Sequence, residues 1–219
     1  MKHVAVSRPS REIQSDTAAR LRAAPNVQRV PSTKLDLFVC RGFLLPATCA
    51  ALIDLIDARR RPSEIADDIG VANFRTSETC DLDPLDPSVA SVDEALTNLI
   101  GIAPELGEQL QGQRYAAGQE FKPHTDTFEP SGAAYYEHCS DTGNRTWTAM
   151  VYLNVPQDGG ATRFKQIGKT IQPEIGKLLA WNNLLPDGRP NPATLHQGMK
   201  VRSGTKYVIT KWYRVGGPG

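Results

Sequence analysis

The sequence predicts an α+β domain that is mainly β, with a β-sandwich or closed jelly roll in its C-terminal half. Apolar residues recur at helical spacing in two stretches before residue 110, whereas short β-prone runs separated by Gly, Pro and Asn follow Gly112. Helices first and strands afterwards are typical of this fold class. With 219 residues and 40% apolar content, the chain can bury one sizeable core.

The first thirty residues are predicted to form an N-terminal arm or a mobile tail. They are polar and rich in arginine, and they show only a weak helical pattern from about Ile13 to Ala24. We expect the remaining residues, 31–219, to fold as a single domain. Within it, residues 35–110 are expected to give helical support and residues 111–215 to form the β core.

The N-terminal half is predicted to contain one strand and two helices. The run from Leu35 to Cys40 is β-prone, and Pro46 then opens a helix that ends before Pro62. A second helix is expected to begin at Ser91, because Ser91 and Glu94 have the spacing of a capping box. We expect both helices to support the β core rather than to form a separate binding domain.

The C-terminal half supplies the predicted strands of the β core. These strands are Gln113 to Tyr115, Arg145 to Leu153, Lys177 to Trp181 and Thr205 to Val215. Alternation in the last strand puts Lys206 and Trp212 on one face. A buried ammonium is costly unless an anion pairs with it, so this face indicates a site for an acidic ligand. The alternative is that Lys206 and Lys211 lie on an exposed edge and deter strand pairing.

Charge and composition disfavour several classes of partner. The chain has 25 basic and 24 acidic residues, so it has no overall field to hold nucleic acid or an anionic membrane. No run approaches the roughly eighteen apolar residues of a membrane span, and the N-terminus lacks the apolar segment of a secretion signal. The four cysteines show no C-x-x-C spacing. We therefore expect a reduced, cytoplasmic protein; the oligomeric state is not indicated.

His124, Asp126 and His196 are candidate metal ligands. Two imidazoles and one carboxylate occupy one face of an octahedral ion and leave three positions open, as non-haem Fe(II) oxygenases require. The His-x-Asp motif alone is weak evidence, because chance supplies it in such a chain with a likelihood of roughly one in four. On a strand, however, His124 and Asp126 would point to the same face. For His3 and His138 we expect structural or surface roles.

The segment from Arg114 to Arg214 resembles the catalytic domain of the prolyl 4-hydroxylase-type Fe(II)/2-oxoglutarate dioxygenases. The matching blocks follow the family's order and cover about half of the chain. They are Tyr115-x-x-Gly118-Gln119-x-Phe121-x-Pro123-His124-x-Asp126, Asn144-Arg145-x-x-Thr148, Tyr152-Leu153-Asn154, Gly159-Gly160-x-Thr162-x-Phe164, Leu195-His196-x-Gly198 and Gly204-x-Lys206. Upstream, Phe74-Arg75-Thr76-Ser77 also resembles a family segment near the site.

This resemblance implies a double-stranded β-helix, a jelly-roll or cupin-like fold, with supporting helices in the N-terminal half. It implies that the catalytic residues His124, Asp126 and His196 bind Fe(II). The side chains implied to bind 2-oxoglutarate are Lys206, Tyr115 and Thr162, and those implied to face the substrate are Arg145 and Trp212.

The implied reaction hydroxylates an aliphatic C–H bond with O2 and 2-oxoglutarate and releases succinate and CO2, with ascorbate as a reductant. The carboxylate of Asp126 favours hydroxylation, because related halogenases have a small residue in its place. The family precedent for the substrate is a prolyl residue in a peptide or protein.

Several alternatives stay open at this point. Arg145 suits a free amino acid or another small molecule as well as a peptide. A cupin-like metalloenzyme that uses no cosubstrate would give Lys206 no dicarboxylate to bind. A non-catalytic metal-binding scaffold or sensor would usually have lost a metal ligand. The long stretch between Thr127 and Asn144 is either a lid over the site or surface decoration.

Overall fold

The computed structural model describes residues 10–64 and 74–216 of the chain. Residues 1–9 of the expected arm, and residues 65–73 and 217–219 of the expected domain, lie outside the described residues. The described helices are α1 (Ser10–Ala23), α2 (Pro46–Arg59), α3 (Pro87–Ile100) and α4 (Ala133–Cys139). None of them is long and apolar enough to cross a bilayer.

Short antiparallel strands make up most of the C-terminal half. The strands of the described ranges are β1 (Val27–Arg29), β2 (Leu37–Cys40), β3 (Arg61–Pro62), β4 (Glu78–Asp81), β5 (Gln111–Tyr115), β6 (Phe121–His124), β7 (Arg145–Tyr152), β8 (Asp158–Gly159), β9 (Thr162–Phe164), β10 (Lys169–Ile171), β11 (Leu178–Asn182), β12 (His196–Gly198), β13 (Val201–Ser203) and β14 (Lys206–Arg214). The strands predicted from sequence therefore form, with bounds that shift by one to two residues.

The fold is built mainly from two antiparallel sheets. The larger sheet has eight strands in the order β1-β2-β11-β7-β14-β5-β4-β3, and the smaller has four in the order β10-β9-β12-β6. Strand β13 pairs separately with β8. Strand β14 lies between β7 and β5, so both of its edges are hydrogen-bonded within the sheet. The alternative of an exposed edge for Lys206 and Lys211 is therefore wrong.

The larger sheet is buried on both faces. Alternate residues of β14 take part in two different cores, as the period of two requires. Tyr207, Ile209 and Tyr213 belong to the core beneath the helices. Val208 belongs to a second core with residues of the smaller sheet such as Phe164. The residues of β14 that share a face with Val208, including Lys206, therefore point into the space between the sheets.

Helix α1 packs into the core beneath the helices, whereas the sequence predicted an arm or mobile tail over this stretch. Its buried stripe runs through Ile13, Thr17 and Leu21, which lie four residues apart and so share one helix face. The Arg20 Nε also donates a hydrogen bond of 3.0 Å to the Asn98 carbonyl of α3. The apolar stripe is short and is surrounded by charged residues, so its helical signal is weak in the sequence.

Helix α3 begins at Pro87, so the prediction that it begins at Ser91 is wrong. Asp86 is the N-cap, and its carboxylate accepts hydrogen bonds from the backbone N–H of Ser88 and Val89 at 2.8 and 3.3 Å. An Asp cap followed by proline in the first helical position is a strong start signal. The proline has no N–H that could be left unpaired, and the Asp carboxylate accepts hydrogen bonds from the next amides. The cap at Asp86 therefore sets the start of α3, and the capping-box spacing at Ser91 does not.

Candidate metal centre

His124, Asp126 and His196 come together in the space between the two sheets. Their candidate ligand atoms all lie within 4.8 Å of one another, and the Nε2 of His124 is 3.9 Å from the Oδ1 of Asp126. His124 ends β6 and His196 begins β12, and the two residues are register partners in the smaller sheet. Asp126 lies two residues beyond His124. The strand pairing therefore brings together ligands that are 72 positions apart in the sequence.

Hydrogen bonds set the tautomer of both histidines. The Nδ1 of His124 lies 2.8 Å from the carbonyl of Lys122, and the Nδ1 of His196 lies 2.9 Å from the carbonyl of Thr194. A carbonyl only accepts, so each Nδ1 carries the hydrogen and each Nε2 keeps a lone pair for a metal. Burial, reinforced by the neighbouring His196, lowers the pKa of His124 to about 3. His124 is therefore neutral at pH 7, which is the form that binds metal.

Asp126 is ionised although it is buried. Burial alone would raise the pKa of this carboxyl, but His196, His124 and Arg145 together lower it below its ordinary value. The hydroxyl of Thr148 also donates to Oδ2 at 2.7 Å. Oδ1 is the oxygen that faces His124. Two imidazoles and one carboxylate suit a divalent first-row metal such as Fe(II), and they leave coordination positions for other ligands.

Aromatic side chains hold the imidazoles in place. Phe121 stacks on His124 with ring centroids 3.5 Å apart and an interplanar angle of 15°. Trp181 meets His196 edge to face at 4.9 Å, and Phe164 lies 5.5 Å from the same imidazole. These rings restrict rotation of the ligands and keep water from their flanks, which is the usual function of the shell around a metal site.

Lys206 lines the same buried cavity as the three candidate ligands. The residue is only 2% exposed, and its Nζ lies 5.1 and 5.3 Å from the ring centroids of Tyr115 and Tyr152. No carboxylate in the described ranges forms an ion pair with it, and burial lowers its pKa to about 7. Lys211 on the opposite face contrasts with it, because its Nζ is 2.5 Å from the Oδ1 of Asp93. The cavity thus fits a ligand that brings its own carboxylate to Lys206.

Tyr115 and Thr162 also line this cavity, but their hydroxyl groups are in different states. The Tyr152 hydroxyl lies 2.6 Å from the Oγ1 of Thr162 and 3.2 Å from the carbonyl of Ile171, and its single hydrogen can go to only one of them. The hydroxyl of Tyr115 instead donates to the Oε1 of Gln113 at 2.9 Å. Thr162 can therefore donate to a bound carboxylate when the Tyr152 hydrogen is directed at its Oγ1, whereas Tyr115 must first release Gln113.

A larger cleft of about 640 Å³ is lined by two of the candidate ligands, His124 and Asp126. Trp212 and Arg145, the two residues predicted to face a substrate, line it. The Arg145 guanidinium lies 4.1 Å from the centroid of the Trp212 ring. It also donates two hydrogen bonds of 2.6 Å to the carboxylate of Glu108. The Nε1 of Trp212 is buried and has no hydrogen-bond partner among the described residues.

Sequence reasoning missed Glu108 and left Arg75 without a role, yet both line the cleft. The carboxylate of Glu108 is shared between Arg145 and Arg214. The guanidinium of Arg75 donates to Gln111 at 3.0 Å and to the hydroxyl groups of Ser77 and Thr79, and lies 5.0 Å from the Phe121 ring. The similarity of Phe74-Arg75-Thr76-Ser77 to a family segment near the site was a signal for Arg75. Glu108 had none.

The stretch from Thr127 to Asn144 forms part of the cleft wall and contains α4. Its two ends are tied together, because the Asn144 side chain accepts from the Phe128 N–H at 3.0 Å and donates to the Phe128 carbonyl at 2.8 Å. Arg214 of β14 donates to the carbonyls of His138 and Gly143 at 2.7 and 2.8 Å. Phe128 lines the cleft. This stretch therefore contributes to the site and is not surface decoration alone.

Known proteins share both this sequence pattern and this fold. Residues 110–214 match the 2OG-Fe(II) oxygenase superfamily. Prolyl 4-hydroxylase 2 of Arabidopsis thaliana is 30% identical over 217 residues, which cover 87% of this chain and 71% of that protein. The probable prolyl 4-hydroxylase 4 of the same plant is 29% identical with the same coverage.

Among solved structures, the viral collagen prolyl hydroxylase of Paramecium Bursaria Chlorella virus-1, in its 2OG complex, superposes with a TM-score of 0.65. It is 25% identical, and the match covers 81% of this chain and 95% of that one. The likeness confirms the double-stranded β-helix with supporting helices. Taken with the 30% identical relative aligned over most of both proteins, it leads to one conclusion: the chain belongs to the prolyl 4-hydroxylase-type family of 2-oxoglutarate- and Fe(II)-dependent oxygenases.

Proposed function

We propose that this chain hydroxylates a prolyl residue of a peptide or protein, using Fe(II), O2 and 2-oxoglutarate and releasing succinate and CO2. One observation carries the proposal: the His124, Asp126 and His196 ligand atoms share a buried cavity with Lys206, which has no carboxylate partner among the described residues. A cupin-like metalloenzyme without a dicarboxylate cosubstrate gives no reason for that lysine. A degenerate scaffold gives no reason for three intact ligands. The prolyl 4-hydroxylases among the relatives support the choice of a prolyl substrate.

In this proposal, each group of the cavity has one task. The two Nε2 atoms and the Oδ1 of Asp126 would hold Fe(II), which together with 2-oxoglutarate and O2 supplies the oxidising chemistry. Lys206 would pair with the distal carboxylate of 2-oxoglutarate, which offsets the cost of burying the ammonium. Thr162 would donate its hydroxyl hydrogen to the same carboxylate. Tyr115 would join them only after its hydroxyl leaves Gln113.

The surroundings of Arg145 favour a peptide over a free amino acid. Its Nε and one terminal nitrogen are committed to Glu108, which it shares with Arg214, so Arg145 has no free pair of nitrogens for a second carboxylate. A free amino acid would bring a carboxylate to a guanidinium that already has one. The remaining nitrogen makes only a 3.4 Å contact with the Asp126 carbonyl and can donate to a neutral peptide carbonyl. Stacking of the prolyl ring on Trp212 or Phe128 would then orient the C–H bond that is hydroxylated.

We propose a cytoplasmic protein that binds neither nucleic acid nor membrane, because its charge is balanced and it has a formal net charge of +1. Ascorbate is proposed as the reductant that keeps the iron ferrous.

The substrate is tested by measuring succinate and hydroxyproline with three matched additions. These are a proline-containing peptide, the same peptide with alanine in place of proline, and free proline. We expect both products with the first peptide only. Turnover of free proline but not of the peptide would favour a small-molecule hydroxylase. A protein that binds iron yet gives no succinate with any addition would favour the scaffold.

Matched histidine variants show whether any turnover comes from the proposed centre. His124→Ala removes a proposed ligand, and we expect it to abolish succinate formation. His138→Ala alters a histidine that lies on α4 outside the proposed ligands, where its ring is tilted by 38° to that of Phe128 with centroids 5.1 Å apart. We expect it to retain iron binding. Equal loss of succinate formation in both variants would argue against a role specific to His124.

A further inference from the structure

A buried chain of hydrogen bonds ends on the carboxylate of Asp126. The Nδ2 of Asn183 donates to the Oγ1 of Thr148 at 2.8 Å, and the Thr148 hydroxyl donates to the Oδ2 of Asp126 at 2.7 Å. Thr148 and Asn183 are each 0% exposed. Solvent therefore does not compete for these bonds, and each of them constrains the carboxylate in a low-dielectric interior.

The chemistry of the three groups sets the direction of the chain. An ionised carboxylate only accepts, so the single hydrogen of the Thr148 hydroxyl is committed to Asp126. The oxygen of Thr148 must then accept, and an amide NH2 is the end of an asparagine that can donate to it. The Oδ1 of Asn183 points away and has no hydrogen-bond partner among the described residues. Asn183 thus acts as a donor that keeps the hydroxyl directed at Asp126.

The backbone of Asn183 is fixed from two sides. Its N–H donates to the carbonyl of Thr146 on β7 at 2.7 Å, and its carbonyl accepts from the N–H of Asn191 at 2.9 Å. Asn191 also accepts at its side chain from the Ala193 N–H and at its carbonyl from the Thr194 hydroxyl. Thr194 in turn accepts the Nδ1–H of His196. One connected segment therefore supports both the carboxylate and the second imidazole.

We propose that Thr148 and Asn183 are positioning residues that make Asp126 a one-oxygen ligand. The hydroxyl engages Oδ2, so that Oδ1 alone faces the Nε2 of His124. A carboxylate released from this hold can rotate and bind an ion with both oxygens, which would occupy a position that the cosubstrate and O2 need. The inference rests on the proposed function only in taking the three ligands to hold a divalent metal.

Titration of the metal-free protein with Co(II) tests this inference without any turnover. We expect Thr148→Val, which has nearly the same shape but no hydroxyl, to weaken Co(II) binding by about 10- to 100-fold, the usual effect of losing a partner of a metal ligand. We also expect its visible Co(II) absorption spectrum to change, because the carboxylate changes its binding mode. Thr148→Ser restores the hydroxyl and should restore both the affinity and the spectrum.

Thr146→Val is the matched control. Thr146 lies on the same strand and is 0% exposed, but its hydroxyl has no hydrogen-bond partner among the described residues. The same change of side chain there should leave Co(II) affinity and spectrum as in the unmodified protein. Asn183→Leu removes only the outer donor, so it should weaken binding less than Thr148→Val does. Thermal unfolding of the metal-free proteins identifies any variant that fails to fold.

The outcomes separate this inference from the proposed function. Equal affinity and identical spectra for Thr148→Val and Thr146→Val, in a protein that binds Co(II), would overturn the positioning role and leave the metal site intact. Failure of Thr148→Ser to restore a loss seen with Thr148→Val would overturn it as well, because the hydroxyl would not be the cause. Absence of Co(II) binding by the unmodified protein would overturn the metal site and this inference together.

Discussion

Lys206 and Tyr115 are register partners on neighbouring strands, and the Nζ of Lys206 lies 5.1 Å from the centroid of the Tyr115 ring. Antiparallel partners project from the same face of a sheet, so the ammonium and the phenol meet inside the cavity. A second ring, that of Tyr152, lies at 5.3 Å. Aromatic faces attract a cation far less than a desolvated carboxylate does. Lys206 is the cationic side chain in the lining of the described cavity, and its environment favours a carboxylate ligand as its partner.

Lys206→Ala should raise the 2-oxoglutarate concentration needed for half-maximal turnover by about 30-fold or more, since losing one partner of a buried charge pair costs about 2 kcal/mol or more. Metal affinity should stay unchanged, because Lys206 is not a candidate ligand. Steady-state kinetics and a Co(II) titration measure the two effects separately.

Lys211→Ala is the matched control for this change, since Lys211 lies on the same strand but pairs with Asp93 on the helix side. It should lower thermal stability without altering the requirement for 2-oxoglutarate. A Lys206→Ala variant that loses metal and cosubstrate affinity to the same degree would place Lys206 in a purely structural role.

The stability of the cosubstrate-free protein should rise with pH between about 7 and 10.5, the lowered and ordinary pKa of Lys206. In this window the unfolded chain keeps a proton on the lysine that the folded chain has released, so higher pH favours the folded state. Lys206→Met lacks the titrating group and should lack this part of the rise. Thermal unfolding at stepwise pH measures the difference, and parallel curves for the two proteins would contradict a lowered pKa of Lys206 in the folded protein.

Glu108→Gln should weaken peptide binding while leaving the 2-oxoglutarate requirement unchanged. The two oxygens of the Glu108 carboxylate accept hydrogen bonds from the Nε and one terminal nitrogen of Arg145. A neutral amide has only one oxygen and cannot accept both bonds in this way. The KM for the peptide is the quantity to measure. Asp158→Asn breaks an exposed pair with Arg202 and serves as the control, with no expected effect. An unchanged peptide KM in Glu108→Gln would contradict the role of Glu108 in positioning Arg145.

Leu21→Ala should destabilise the protein by about 2–5 kcal/mol, because Leu21 is 0% exposed in the core beneath the helices. Arg11→Ala on the exposed side of α1 should change stability by less than about 0.5 kcal/mol. Urea unfolding of the two variants compares them directly. A negligible loss in Leu21→Ala would support the arm expected for residues 1–30 and would exclude α1 from the folded unit.

The sequence was sufficient for the parts of the site that follow local patterns. Lys206 and Trp212 share a face because strand residues alternate, and His124 and Asp126 are two residues apart. The supporting contacts join residues with no pattern between them: Arg145 and Glu108 are 37 positions apart, and Asn183 and Thr148 are 35 apart. Such pairs depend on which strands become neighbours. Short apolar runs do not specify the order of strands in a sheet. The packing of α1 was not predicted for a related reason, because tertiary contacts and not its own sequence pattern stabilise this helix.

The central claim is that one buried site holds Fe(II) through His124, Asp126 and His196 and holds 2-oxoglutarate through Lys206. Its most direct test is anaerobic addition of Fe(II) and then 2-oxoglutarate to the metal-free protein, followed by visible absorption. We expect a metal-to-ligand charge-transfer band that requires both additions, is absent in His124→Ala, and needs more 2-oxoglutarate in Lys206→Ala. No band in a protein shown to bind Fe(II), at saturating 2-oxoglutarate, would contradict it.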